Sequence, residues 1–157
     1  MTGKAKVEDV RQIQIEDLLS RDVVAPDDAL LSYCVTGKSI LVSGAGGSIG
    51  SELCRQIVGL GPRCLVLVDS SEYALYAIEQ ELRELTARRG ITLELVACLG
   101  SVLEKEKCTR LLQAFAVDTV YHAAAYKHVP LVEHNPIEGI RNNAFGTLSL
   151  AGSGVRR

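Results

Sequence analysis

The sequence predicts an α/β protein, a doubly wound parallel sheet with helices on both faces. Three observations carry that expectation. Short apolar runs alternate with stretches of helical periodicity along the chain. The run CLVLVD is continuously apolar, as a strand covered on both faces requires. A glycine-rich turn, VSGAGGSIGSEL (residues 42–53), follows the first run and opens directly into a helix-periodic segment.

In order, SILVS (Ser39–Ser43) is the first buried strand. Ile49, Leu53, Ile57 and Leu60 then recur at helical spacing, and Gly59, Gly61 and Pro62 end that helix. CLVLVD (Cys64–Asp69) is the second strand. The segment SSEYALYAIEQELRELTARRG is a helix with Leu75, Ile78, Leu82 and Leu85 on one stripe. Serines and Glu72 open it, and Arg88, Arg89 and Gly90 close it, which suits the helix dipole. TLELVACLG is the third strand, and Cys108, Leu111, Leu112 and Phe115 mark the third helix. DTVYHAAA is the fourth strand, running into a loop with Pro130 and Pro136. IEGIRNNAFGTLSLAG reads as a fourth helix. Right-handed crossovers around a glycine turn after the first strand give the order 3-2-1-4.

Three segments are expected. Residues 1–38 form an N-terminal extension that packs on the domain or a neighbour, with an extended piece and short helix followed by a loop. Residues 39–151 form the nucleotide-binding half. Residues 152–157, GSGVRR, form an aberrant or truncated tail, since two glycines within three residues continue a helix poorly.

The 157 residues suit one domain or part of one. The net charge of −2 and the lack of a basic block give no nucleic-acid footprint. No apolar run reaches membrane-spanning length and no secretory signal opens the chain, so the expected location is the cytoplasm. Five cysteines without a Cys-x-x-Cys pair read as small core hydrophobes. His122, His128 and His134 fall six apart, which places no metal face on a helix.

Gly44, Gly47 and Gly50 form Gly-x-x-Gly-x-x-Gly between strand and helix, the context in which a backbone approaches a pyrophosphate and a helix start supplies N–H donors. Asp69 closes the second strand, nineteen residues beyond Gly50. A carboxylate there accepts both ribose hydroxyls and repels a 2′-phosphate, favouring NAD over NADP. Ser70 and Ser71 remain able to bind a phosphate, and Asp69 has the alternative role of a helix N-cap. Gly100, Ser101 and Val102 end the third strand, either beside an adenine or as a plain turn. The expected fold is a partial Rossmann unit, read as truncated before a fifth strand.

The strings SGAGGSIGSELCRQI, LVDSSEYALYAIEQEL, LGSV and YHAAAYKHVPLVEHNPIEGIRNNAFGT together resemble the UDP-N-acetylglucosamine 4,6-dehydratase-like enzymes of bacterial polysaccharide biosynthesis. These are extended short-chain dehydrogenase/reductases. RQIQIEDLLSRDVV resembles the segment preceding the catalytic domain in long, membrane-anchored members. The resemblance implies oxidation at C4 by NAD or NADP, loss of water across C5 and C6, and return of the hydride to C6. It also implies that Gly44, Gly47, Ser48, Ile49 and Gly50 cradle the pyrophosphate, with Asp69 on the ribose and Ser101 and Val102 on the adenine side. Ala123 would pass close to the dinucleotide, Lys127 would lie near cofactor and substrate, and Asn142 and Asn143 would back the active site.

The family's Asp-Lys pair and Tyr/Met-x-x-x-Lys motif are absent from this sequence. The expectation is therefore the NAD(P)-binding portion of a UDP-sugar dehydratase, inactive alone, completed by a C-terminal partner or a homo-oligomer. A non-catalytic NAD(P)-binding module and half of a related epimerase or reductase remain as alternatives.

Overall fold

The computed structural model describes residues 27–154. Its centre is a four-stranded, all-parallel sheet of order β3-β2-β1-β4, as the sequence predicts. The strands are β1 (Ser39–Ser43), β2 (Cys64–Asp69), β3 (Glu94–Leu99) and β4 (Thr119–His122). Helix α1 (Asp28–Val35) precedes β1, α2 (Ser48–Gly59) joins β1 to β2, α3 (Glu72–Arg89) joins β2 to β3, and α4 (Lys105–Ala114) joins β3 to β4.

The side-chain alternation of buried strands divides the core into two layers. Ile40, Val42, Leu65 and Leu67 face one side, where they meet Cys54, Ile57 and Val58 of α2 and Leu75, Ile78 and Leu82 of α3. Leu41, Cys64, Val66 and Val68 face the other, against Leu111 and Leu112 of α4 and Phe115 just beyond it. Both central strands thus carry continuous apolar runs, Ile40–Val42 and Cys64–Val68, because both their faces are covered.

The caps explain where the helices start. Ser71 accepts from the Ala74 N–H and opens α3, and Gly90 ends it in the left-handed conformation at φ 63°. At α1, the Asp27 carboxylate accepts from the N–H groups of Ala29 and Leu30. This helix runs beyond Leu31, where a loop was expected, to Val35. Val35 of α1 is fully buried in the core cluster, and the Cys34 carbonyl accepts from Thr119 Oγ1 of β4 at 2.9 Å. Residues 1–26, which carry most of the stretch read as an extended piece and short helix, and residues 155–157 of the tail lie outside the described residues.

After β4 the structure departs from the expected loop and single helix. Pro130 and Pro136 sit in the first turns of two short helices, α5 (Val129–His134) and α6 (Pro136–Ile140). Proline suits those positions because a helix start leaves N–H groups unpaired in any case. A π turn, Arg141–Phe145, then leads into α7 (Gly146–Gly154). There the Gly146 N–H reaches the Arg141 carbonyl, five residues back. Helix α7 continues through Gly152 and Gly154, where the sequence suggested a break. Leu150 of α7 packs with Val102 and Cys108, fixing α7 beside α4.

Truncation of a central side chain tests this layering. Leu67→Ala, at a position with no exposure, is expected to cost about 2–5 kcal/mol, read as a lower urea midpoint at unchanged slope. Tyr73→Ala, 83% exposed on α3, is expected to change stability by less than about 0.5 kcal/mol.

Candidate functional site: the glycine turn at the switch point

The sheet order reverses between β1 and β4, and the loops at the carboxyl ends of these strands diverge there. The turn after β1 is built by close backbone approach. Gly44 adopts φ 68°, and its N–H and that of Ala45 both donate to the Val68 carbonyl of β2, at 2.8 and 3.2 Å. A Cβ on Gly44 would lie 2.7 Å from the Ala124 nitrogen. A Cβ on Gly50 would overlap the Gly44 carbonyl oxygen. Both positions demand glycine, one for conformation and contact and the other for contact alone.

Asp69 fixes the turn from β2. One carboxylate oxygen accepts from the Gly46 N–H at 2.9 Å, and the other accepts from the Ser71 N–H at 2.9 Å. An ionised carboxylate accepts about four hydrogen bonds, so two positions stay open toward the cleft. Ser71, not Asp69, is the side-chain cap of α3. At the start of α2, the N–H groups of Ser48, Ile49 and Gly50 have no acceptor among the described residues. They present oriented donors and the positive end of the helix dipole.

Two adjoining clefts share this turn. The first, about 170 Å³, is lined by Gly44, Gly47, Asp69, Ser70, Ser101 and Val102, with Ala123 and Asn142 opposite. The second, about 460 Å³, is lined by Gly47, Ser48, Tyr126, Lys127, His128 and Glu138, among others. Ala125 and Tyr126 border both clefts. Of the remaining residues singled out from sequence, Ile49 is 62% exposed, Gly50 packs inside the turn, and Ser71 is occupied as a cap.

Asn143 borders neither cleft; it holds the loop that does. Its side chain accepts from the Tyr126 N–H at 2.8 Å and donates to the Tyr126 carbonyl at 2.9 Å. Asn142 donates to the Asn143 side chain at 3.0 Å. The π turn brings the two adjacent amides together against the Ala123–Tyr126 loop, and such turns recur at functional sites.

Sequence reasoning missed Gly46 and His122. A Cβ on Gly46 would lie 2.5 Å from the Ala74 Cβ, so this glycine lets α3 close on the turn; the Gly46-Gly47 doublet was its signal. His122 stands between Ser43 of β1 and Thr147 of α7, at 2.7 and 2.9 Å. No spacing rule links three residues so far apart in the chain. Burial lowers the His122 pKa from its ordinary 6.5. Burial also pushes the Cys54 thiol up to about 12, so it is a core side chain rather than a reactive one. All five cysteines are free. No group of potential metal ligands occurs among the described residues, and no helix among them is long and apolar enough to cross a membrane.

Parallel strands in this order, with a glycine turn at the switch point and a carboxylate ending β2, define a Rossmann-type α/β protein. The sequence matches the family described as polysaccharide biosynthesis protein over residues 40–156, and the chain belongs to that family. It is 44% identical over 153 residues to the capsular polysaccharide biosynthesis protein CapD of Staphylococcus aureus, a match covering 98% of this chain and 25% of that protein. It is 31% identical over 111 residues to a UDP-N-acetylglucosamine 4,6-dehydratase (inverting) of Campylobacter jejuni, covering 70% of this chain and 30% of that one. Among solved structures it resembles a UDP-glucose-4-epimerase from Stenotrophomonas maltophila with bound NAD and formylated UDP-arabinopyranose. There the TM-score is 0.66 at 26% identity, over 74% of this chain and 33% of that chain. The chain thus spans between a quarter and a third of these proteins' lengths.

Two outcomes follow from the geometry. Gly44→Ala is expected to destabilise the chain by about 1–3 kcal/mol in urea unfolding. Gly59→Ala, where a Cβ meets nothing within 4 Å, is expected to stabilise it by about 0.5–1 kcal/mol. The lowered pKa of His122 means the unfolded chain binds its proton first as pH falls. Its contribution to stability is thus complete above 6.5 and lost as pH falls through the lower folded value. Unfolding midpoints measured between about pH 7 and pH 5 should fall, and less steeply in His122→Gln.

Proposed function

We propose that this chain is the dinucleotide-binding portion of a nucleotide-sugar 4,6-dehydratase. The observation that carries the reading is the seat of Asp69, a carboxylate ending β2, tied to the glycine turn through Gly46 and still open to the first cleft. The residues fit a dinucleotide. A Cβ on Gly44 would strike the Ala123–Ala124 backbone and one on Gly50 the Gly44 carbonyl, and the free N–H groups opening α2 suit a pyrophosphate.

In this reading Gly47, Ser48 and Ile49 hold the pyrophosphate through their backbone. Asp69 accepts from the adenosine ribose hydroxyls, and its negative charge selects NAD over NADP. Ser70 lies beside it, and Ser101 and Val102 flank the adenine. Bound nicotinamide supplies a hydride acceptor for sugar C4 and later the donor for C6. Ala123 and the loop held by Asn142 and Asn143 form the far wall, which keeps water from the reacting face. Ser48 and Lys127 line the second cleft, the seat proposed for the UDP-sugar, with the Lys127 ammonium available to its diphosphate.

The dehydratase reading draws on the Campylobacter jejuni relative, and the dinucleotide reading on the epimerase solved with NAD. The Asp-Lys and Tyr/Met-x-x-x-Lys motifs are absent here. The purified chain is therefore expected to bind cofactor without turning over UDP-N-acetylglucosamine.

Calorimetric titration with NADH and NADPH tests this. NADH should bind more tightly than NADPH, and Asp69→Ala should weaken NADH about 10–100-fold, the worth of a charge-assisted hydrogen bond. Equal affinity for both cofactors would remove the role given to Asp69, and a folded chain binding neither would sink the reading.

A further inference from the structure

The hydrogen bonds around His122 determine which of its nitrogens carries the proton. Ser43 is fully buried, and its hydroxyl has His122 Nδ1, at 2.7 Å, as its one partner among the described residues. Thr147 Oγ1 lies 2.9 Å from His122 Nε2 and donates to the Asn143 carbonyl at 2.6 Å. A threonine hydroxyl has one proton, so toward His122 it is an acceptor. Nε2 must then carry the imidazole proton, and Nδ1 accepts from Ser43. The opposite tautomer turns the Thr147 proton toward Nε2. That strands the buried Ser43 proton and leaves two oxygens facing each other 2.6 Å apart.

We propose that His122, held as the Nε2–H tautomer, is a positioning residue for the wall shared by the two clefts. The bonds run in one direction from Ser43 at the end of β1, through His122 and Thr147, to the carbonyl of Asn143. Asn143 then grips both the N–H and the carbonyl of Tyr126. The strand that carries the glycine turn and the loop that faces it across the cleft are thereby held to one spacing. The relay is drawn from the geometry alone; its value for binding rests on the dinucleotide reading.

Nitrogen-15 NMR of the labelled chain reads the His122 tautomer and the hydrogen-exchange protection of the Tyr126 amide, beside an NADH titration. The wild type should show Nε2–H. Thr147→Val removes the hydroxyl at nearly constant shape. It should lower Tyr126 protection and weaken NADH binding about fivefold, while Thr147→Ser restores both. A packing role predicts the reverse order, with valine tolerated and serine not. An Nδ1–H signature in the wild type, which needs no variant, overturns the proposal. So does unchanged Tyr126 protection in a folded Thr147→Val. If NADH does not bind but the tautomer and the protection follow the hydroxyl, the relay stands and the dinucleotide reading falls.

Discussion

The approach of the Gly44 carbonyl to the start of α2 is the contact on which the rest of the site depends. It occupies the space a side chain at residue 50 would need, so α2 begins close against the end of β1. The N–H groups of Ser48 and Ile49 that open α2 then stand beside the turn without an acceptor among the described residues. The left-handed φ of Gly44 turns the chain sharply enough for two of its N–H groups to reach Val68. Backbone geometry, rather than any reactive side chain, is what underlies the anion site proposed above.

Asp69 links that turn to the second βα connection. Its carboxylate bonds the Gly46 N–H on one side and the Ser71 N–H on the other, so the β1–α2 and β2–α3 connections are tied at one group. Such ties cost little where the donors are backbone N–H groups that would otherwise lack partners. The group proposed to recognise a ribose is also a fixed part of the turn's framework.

The sheet was legible because its signals are local. An apolar run such as CLVLVD, closed by an acid and followed by a capped helix, identifies a buried strand without knowledge of its neighbours. The glycine spacing then set the strand order. The segment after β4 was not legible in the same way. Pro130 and Pro136 suggest a loop, and only in the folded chain do they open short helices. The π turn has no pattern of its own in RNNAF; it forms where Asn143 can satisfy the backbone of Tyr126, seventeen residues away. For the same reason Asn142 and Asn143 were visible as candidates while their distinct tasks, bordering the cleft and bracing its wall, were not. Ile49 and Ser71 share the motif's neighbourhood, but one points to solvent and the other caps a helix. His122 was weighed only as a metal ligand, because its two partners, Ser43 and Thr147, come from elements far from it in the chain.

Ala125 and Tyr126 belong to both clefts at once, a thin partition with a different chamber on each side. A molecule that shifts this partition from one side reshapes the chamber on the other. Whatever factor the first occupant imposes on the affinity of the second, the second imposes on the first, since linkage between equilibria is reciprocal. On the reading proposed above, the wall held by Asn142 and Asn143 would then let the two occupants bias each other's binding.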